Sequence, residues 1–256
     1  MAKGKKQNKS SSRVSIIRLG NRLFRWRRWF YLLPVSLMIF YSENLKYLFK
    51  SYVYDELFEI ASFGVVALGL AIRFWASGSS HRSFVKKEKE WHFHSQTQGV
   101  FSIVRNPYFV GEFFILLGLS LPLLSLRLVL LSLFLFLLLY TPIVLSRERM
   151  LEDRFKEAYE AYRRKIPLCI PSFRHWEKGR VHFRWDVALE KETNIIVIVS
   201  FFCFFIEQYK DIIIKGAWDS QPIWLILMLP AIFLLLLQSA LTPALCDYSD
   251  MPEILD

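Results

Sequence analysis

Apolar residues in this chain gather in long runs, without the alternation of a half-buried strand. Six runs stand out, at about 29–49, 57–77, 107–125, 126–146, 194–214 and 222–243, each close to the ~20 residues that a helix needs to cross a bilayer. The pattern predicts an all-α, polytopic transmembrane bundle of about six spans. Glu43, Asn44 and Lys46 interrupt the end of the first run. Only a short turn near Pro122 and Ser125 separates the third from the fourth, which predicts a helical hairpin. Beyond Arg147 the spacing changes. Leu151, Phe155, Tyr159, Tyr162 and Ile166 recur every three or four residues among charged neighbours, the mark of an amphipathic helix. Pro167 should end that helix and Pro171 should hold an extended exit. We expect it to lie on the membrane interface, where it can also serve as a lid over a site beneath it.

Charge orients this layout. The chain has 256 residues, 54% of them hydrophobic, with a net charge of +10. Its cations flank the apolar runs, so membrane topology accounts for them and no nucleic-acid partner is expected. Residues 1–28 form a basic arm, 29–193 a membrane core, and 194–256 a pair of helices with an acidic tail. With six spans, the arm, the 78–106 loop, the 147–193 segment and the tail share one side and carry 27 of the 33 Lys and Arg residues. The opposite loops, counted with Lys210 and Lys215, carry five. Both termini are therefore predicted on the cytoplasmic side. The three scattered cysteines offer no disulfide framework, and no small-residue cleavage site follows the first run, so a removed signal peptide is not expected.

Among candidate chemistries, glycine-rich nucleotide loops are missing: the ten glycines never fall in dinucleotide or P-loop spacing. His92 and His94 form an H-x-H pair, but nothing in the spacing supplies further ligands, so no metal is expected. Asn106 and Pro107 suit the cap and first turn of a helix, whose N-terminus beside Arg105 can attract an anion. Arg105, Tyr108 and Glu112 would share one face. Glu112 is expected to point inward, Arg73 to be either an inward charge or a membrane-edge anchor, and Glu207 to snorkel to the interface.

Two stretches carry a resemblance. Gly99-Val100-Phe101 followed by Arg105-Asn106-Pro107-Tyr108-Phe109-Val110-Gly111 resembles the first signature block of the isoprenylcysteine carboxyl methyltransferase family, to which phospholipid methyltransferases are related. Arg147-Glu148, Leu151, Phe155, Tyr159, Tyr162, Ile166-Pro167 and Ile170-Pro171 resemble the second, and Leu68-Gly69 with Arg73-Phe74-Trp75-Ala76 resemble the helix before them. The similarity covers about residues 60–172. Three positions depart from it. Arg147 stands where the family's acidic pair begins, Lys156 stands where a glycine commonly follows Phe155, and Asn106 replaces a histidine, as in bacterial-type members.

The resemblance implies S-adenosylmethionine as cofactor, in a pocket between the helix ends and the 147–171 lid. It implies Arg105 and Glu148 as the catalytic pair. Gly99, Arg105, Asn106, Pro107, Tyr108, Gly111, Glu148, Tyr159 and Tyr162 would bind the cofactor. Arg105 would take its carboxylate, Glu148 its ribose or ammonium, and the tyrosines its adenine. The methyl acceptor would be a membrane lipid or lipidated group reached from the bilayer, through a carboxylate or phosphate oxygen. An oxygen that is already anionic needs alignment and removal of water but no general base. The alternatives are a phospholipid amine acceptor, a nicotinamide-dependent membrane reductase, and a non-enzymatic small transporter or scaffold. The implied setting is a multi-pass protein of a bacterial-type inner membrane, with its site on the cytoplasmic face.

Overall fold

In the computed structural model, residues 18–41, 51–79, 97–177 and 183–216 are described, with a few helical positions between 229 and 236. The H-x-H pair, the sixth apolar run apart from those few positions, and the acidic tail lie outside the described residues. Among the described residues there is no β-strand. Helix α1 (18–26) leads through a 3-10 turn, Arg27–Tyr31, into α2 (Leu32–Phe40). Then come α3 (Tyr52–Ser79), α4 (Pro107–Ser120), α5 (Leu126–Lys165) and α6 (Trp185–Lys215).

Helix α4 is apolar all round and therefore sits in the middle of the bundle. Its Ile115, Leu116 and Leu119 are buried against Val66 of α3, Phe136 and Tyr140 of α5, and Ile195 and Val199 of α6. Helices α3 and α4 are the most extensively packed pair, and glycine is the reason. A Cβ on Gly111 would lie 2.5 Å from Arg73 Cγ and 2.8 Å from the Gly69 carbonyl, so only small residues let the two backbones come this close. The outer faces are apolar as well: Val53, Leu57 and Leu68 on α3, and Leu130, Phe134 and Leu138 on α5, are exposed. Such a surface suits lipid rather than water. Helices Tyr52–Ser79 and Leu126–Lys165 are long and apolar enough to cross a membrane, whereas Pro107–Leu123 is shorter.

The predicted hairpin is present. Leu121–Leu123 form a 3-10 turn, Leu124 takes a left-handed conformation, and α5 begins at Leu126. Four expectations need correction. The 147–165 stretch is not one separate helix: as far as Phe155 it continues the helix of the fourth apolar run, and after a break at Lys156 (φ 44°, ψ −114°) a second helix runs to Lys165. Asn106 makes no side-chain cap to α4, because its amide is directed elsewhere, as described below. Glu207 does not snorkel; it is 2% exposed. Lys210 belongs to no loop. It is buried within α6, where Nζ donates to Asp55 Oδ2 at 2.6 Å and to Glu59 Oε1 at 2.7 Å. A cation flanked by two carboxylates of the neighbouring helix can stay inside the protein, which removes the reason to reach for water.

Candidate functional site

At the opposite end of the α3–α6 pair, polar side chains converge from every neighbouring element. Arg73 on α3 is 2% exposed. Its Nη1 donates to Glu112 Oε1 of α4 at 2.5 Å and its Nε to Glu192 Oε2 of α6 at 2.9 Å. Tyr31 donates a short hydrogen bond to the other Glu112 oxygen. One turn beyond Arg73, Ser77 Oγ donates to Glu192 Oε1 at 2.5 Å. Since the only hydroxyl hydrogen of Ser77 is used there, Tyr108 is the donor in the 3.1 Å contact between the two hydroxyls. The Arg73 guanidinium also lies over the Tyr108 ring, 5.5 Å from its centre. Of the alternatives open for Arg73, the structure selects the inward one, and Glu112 points inward as expected.

The two signature stretches lie side by side. Arg105 N–H donates to the Pro167 carbonyl at 3.0 Å, Asn106 N–H to Leu168 at 3.2 Å, and Ser172 N–H to Ile103 at 3.0 Å. Gly99 (φ 63°) closes this edge, its N–H bonded to the Glu177 carbonyl at 3.0 Å. The Tyr162 hydroxyl donates to the Phe101 carbonyl at 2.7 Å. Loop 97–106 and segment 166–177 thus brace each other through backbone groups that neither could satisfy alone. Glu148 of α5 spans the same seam: its Oε2 takes Arg105 Nη1 at 2.6 Å and its Oε1 takes Asn106 Nδ2 at 3.2 Å. That bond explains why Asn106 does not cap α4. Cys169 is half-buried on this loop. Burial pushes its thiol pKa up, Glu148 adds to the rise, and Arg105 opposes it.

These parts wall a cavity of about 620 Å³. Arg105, Asn106, Tyr108, Tyr159 and Tyr162 line it, as do Phe24, Arg27 and Arg147, and Glu190 to Glu192 with Asn194 at the start of α6. Five of the expected site residues therefore share one chamber. Glu148 is not on its wall but behind it, holding Arg105 and Asn106. Gly99, Pro107 and Gly111 are not on the wall either: Gly99 closes the loop, Pro107 opens α4, and Gly111 admits Arg73. Sequence reasoning missed Glu192, Ser77, Tyr31 and the arm residues. Two signals were available. Arg73 and Ser77 stand four residues apart on one helical face, and Phe24, Arg27 and Tyr31 repeat at helical spacing. A second cavity, of about 450 Å³, lies between α3 and α6. Leu70, Phe74, Phe183, Trp185 and Ile196 give it an apolar lining, and the rings of Phe183 and Trp185 meet edge to face with centres 4.8 Å apart.

Residues 60–158 match the phospholipid methyltransferase family. A protein-S-isoprenylcysteine O-methyltransferase of Schizosaccharomyces pombe is 27% identical over 129 residues, 48% of this chain and 55% of that protein. The chain spans about half the length of that curated relative. No solved structure matches. The matched segment holds Arg73, Arg105, Glu112 and Glu148 together with the loop that carries the first signature block. Through that segment the chain is similar to the phospholipid methyltransferase family and to an isoprenylcysteine O-methyltransferase.

Proposed function

We propose that this protein is a membrane methyltransferase that uses S-adenosylmethionine to methylate a lipid-borne oxygen. The observation that carries this reading is the meeting of Arg105, Asn106, Tyr108, Tyr159 and Tyr162 on one cavity wall, with Glu148 behind it. The residues fit the cofactor. A volume of about 620 Å³ lies in the range usual for small-molecule and cofactor sites. Arg105, held in place by Glu148 behind it, offers a cation on the wall for the carboxylate of an amino-acid end. The tyrosines give flat apolar surface for a purine. When bound, the cofactor supplies an electrophilic methyl group on a sulfonium. A lipid-borne acceptor oxygen would receive that methyl group, with Arg105 and the tyrosines holding the donor. The protein's part is to align the two and to exclude water.

In this reading Arg105 touches the cofactor and Glu148 positions Arg105. The apolar second cavity supports an acceptor with a hydrocarbon chain, since Ile196 on its wall is one helical turn from Glu192. The described part of the arm, the 97–106 loop and the 166–177 segment all gather at the cavity end. The excess of cations there supports a cytoplasmic position for the site.

A second reading has one observation in its favour. Glu192 is a carboxylate on the cavity wall, so an ammonium acceptor could lose its proton there. Fragmentation of the labelled product by mass spectrometry separates the two, because the added methyl group stays with the amine fragment in one case and with the carboxylate or phosphate fragment in the other.

The test of the main reading is thermal stability of the detergent-purified full chain with S-adenosylhomocysteine or with NADPH. We expect stabilisation by the first alone. Arg105→Lys and Glu148→Gln should each weaken that binding by about ten- to a hundredfold, from the loss of a charge-assisted contact. Stabilisation by NADPH, or by neither compound, would remove the methyltransferase reading.

A further inference from the structure

The arm and α5 together place two cations where no carboxylate meets them. Arg27 lies over the Phe24 ring at 4.0 Å from its centre, and Arg147 lies over the same ring at 4.4 Å. Both guanidiniums line the 620 Å³ cavity. Among the described residues neither has an ion-pair partner; Glu148 is taken by Arg105 and Glu192 by Arg73 and Ser77, and Glu190, also on the wall, forms no ion pair with either arginine. One aromatic ring holding two like charges side by side lowers the cost of their approach but does not cancel it.

The placement is built. A Cβ on Gly20 would lie 2.5 Å from both the Pro142 carbonyl and Ser146 Cβ, so α1 presses directly on α5. Ser146 Oγ also donates to Asn21 Oδ1 at 3.3 Å. That contact helps hold Phe24, one turn further along, on the cavity wall.

We propose that Arg27 and Arg147 form the binding site for a phosphate group of the acceptor lipid. This rests on the lipid methyltransferase reading above and adds the class of headgroup to it. The carboxylate of the cofactor's amino-acid end already has Arg105 on the same wall. Two adjacent guanidiniums without a carboxylate need more negative charge than one carboxylate brings, and a phosphate supplies it with oxygens that suit the guanidinium fork. The resemblance does not imply this site: Arg27 lies outside the matched segment, and Arg147, though within the second block, stands where an acid is expected.

The experiment measures binding of three probes to the full chain in one detergent: phosphatidic acid, diacylglycerol with the same chains, and inorganic phosphate. S-adenosylhomocysteine affinity is measured alongside. Phosphatidic acid should bind the wild type and diacylglycerol should bind far more weakly. Arg27→Gln and Arg147→Gln should each weaken phosphatidic acid binding by about tenfold or more and leave S-adenosylhomocysteine affinity unchanged. Arg147→Lys, which keeps charge without the fork, should be intermediate. Arg25→Gln removes an equal charge from an exposed arm position and should have little effect.

Equal binding of phosphatidic acid and diacylglycerol overturns the proposal, and so does equal weakening by Arg25→Gln, which would mark diffuse attraction to the arm. Inorganic phosphate binding as tightly as phosphatidic acid would assign the site to a soluble anion and overturn the lipid assignment. Loss of S-adenosylhomocysteine binding in the two Gln variants would give the arginines to the cofactor. If the wild type itself fails to bind S-adenosylhomocysteine, the function reading fails, and the phosphatidic acid series still decides the site on its own.

Discussion

Two buried ion clusters tie α3 to α6, one at each end of the pair, and they face different things. At the far end Lys210 sits between Asp55 and Glu59, with Glu207 and Asp211 beside them, and every one of these side chains is closed off from solvent. At the cavity end Arg73 sits between Glu112 and Glu192 in almost the same way, but this cluster has an outlet. Tyr108 and Glu192 reach the cavity wall, and Ser77 joins them by hydrogen bonds. Burial of charge therefore does not by itself mark a site. A cation between two carboxylates of a facing helix is also a way to fix the register of two long helices. What distinguishes the cavity end is that its polar chain continues to a surface where a ligand can be received.

The largest expected effect comes from breaking the two clusters in parallel. Lys210→Met leaves Asp55 and Glu59 buried without their cation, and removing one partner of such a group typically costs about 3–5 kcal/mol. We expect a large fall in thermal stability with unchanged S-adenosylhomocysteine affinity per folded molecule. Arg73→Met should destabilise to a similar degree and also weaken that affinity, because Tyr108 and Glu192 lose the charge that orders them. Equal losses of affinity in the two variants, or none in either, would break the contrast.

The sequence made the cavity end far more legible than the far end, for physical reasons. Signature blocks are local, so Arg105, Asn106, Tyr108, Tyr159 and Tyr162 could be placed together before any fold was known. The hairpin at Leu121–Ser125 was legible too, because a turn between two apolar runs has few alternatives. Lys210, in contrast, reads in one dimension as a charge at the end of an apolar run, and such a charge normally belongs to water. Only the arrival of Asp55 and Glu59 from 150 residues away changes that. Arg147 reads as a lost acid, until Phe24 and Arg27 are seen across from it. The stretch from Arg147 reads as separate because its composition changes there, yet hydrogen bonding along a helix does not stop where polarity changes, and the break comes only at Lys156. Partners distant in sequence and charges that depend on them are what a linear pattern cannot hold.

An intermediate effect tests whether strain, like open charge, belongs to the cavity end. Lys156 interrupts α5 at φ 44° and ψ −114°, a conformation that disfavours any residue with a Cβ. Leu124 also has positive φ, but at φ 51° and ψ 21° it stays in the ordinary left-handed region of a turn. Lys156→Gly should therefore stabilise the protein by about 1 kcal/mol, after the entropy that glycine loses on folding is deducted. Thermal unfolding of the full chain checks this. No gain, or a loss, would mean that the break at Lys156 is relaxed, and the cavity end would then be no more strained than the hairpin turn.

The smallest effect reads the cavity-end charges from outside. Cys169 lies on the loop beside Arg105 and Glu148. Burial first, and the Glu148 carboxylate second, hold its thiol pKa above the ordinary value, while Arg105 pulls the other way. The thiolate is the form that alkylates, so its reaction rate against pH reports those charges. Glu148→Gln removes the carboxylate that raises the pKa and releases Arg105, which lowers it. Both changes act in the same direction, so the thiolate should form at lower pH and alkylation at a fixed, mildly alkaline pH should be faster. With Cys203 and Cys246 replaced by serine, iodoacetamide labelling followed across pH isolates Cys169. Glu59→Gln removes a carboxylate of the far cluster instead and should leave the profile where it was. A profile that moves with Glu59→Gln as much as with Glu148→Gln would show the thiol responding to general loosening of the bundle, and the two ends would no longer be electrostatically separate.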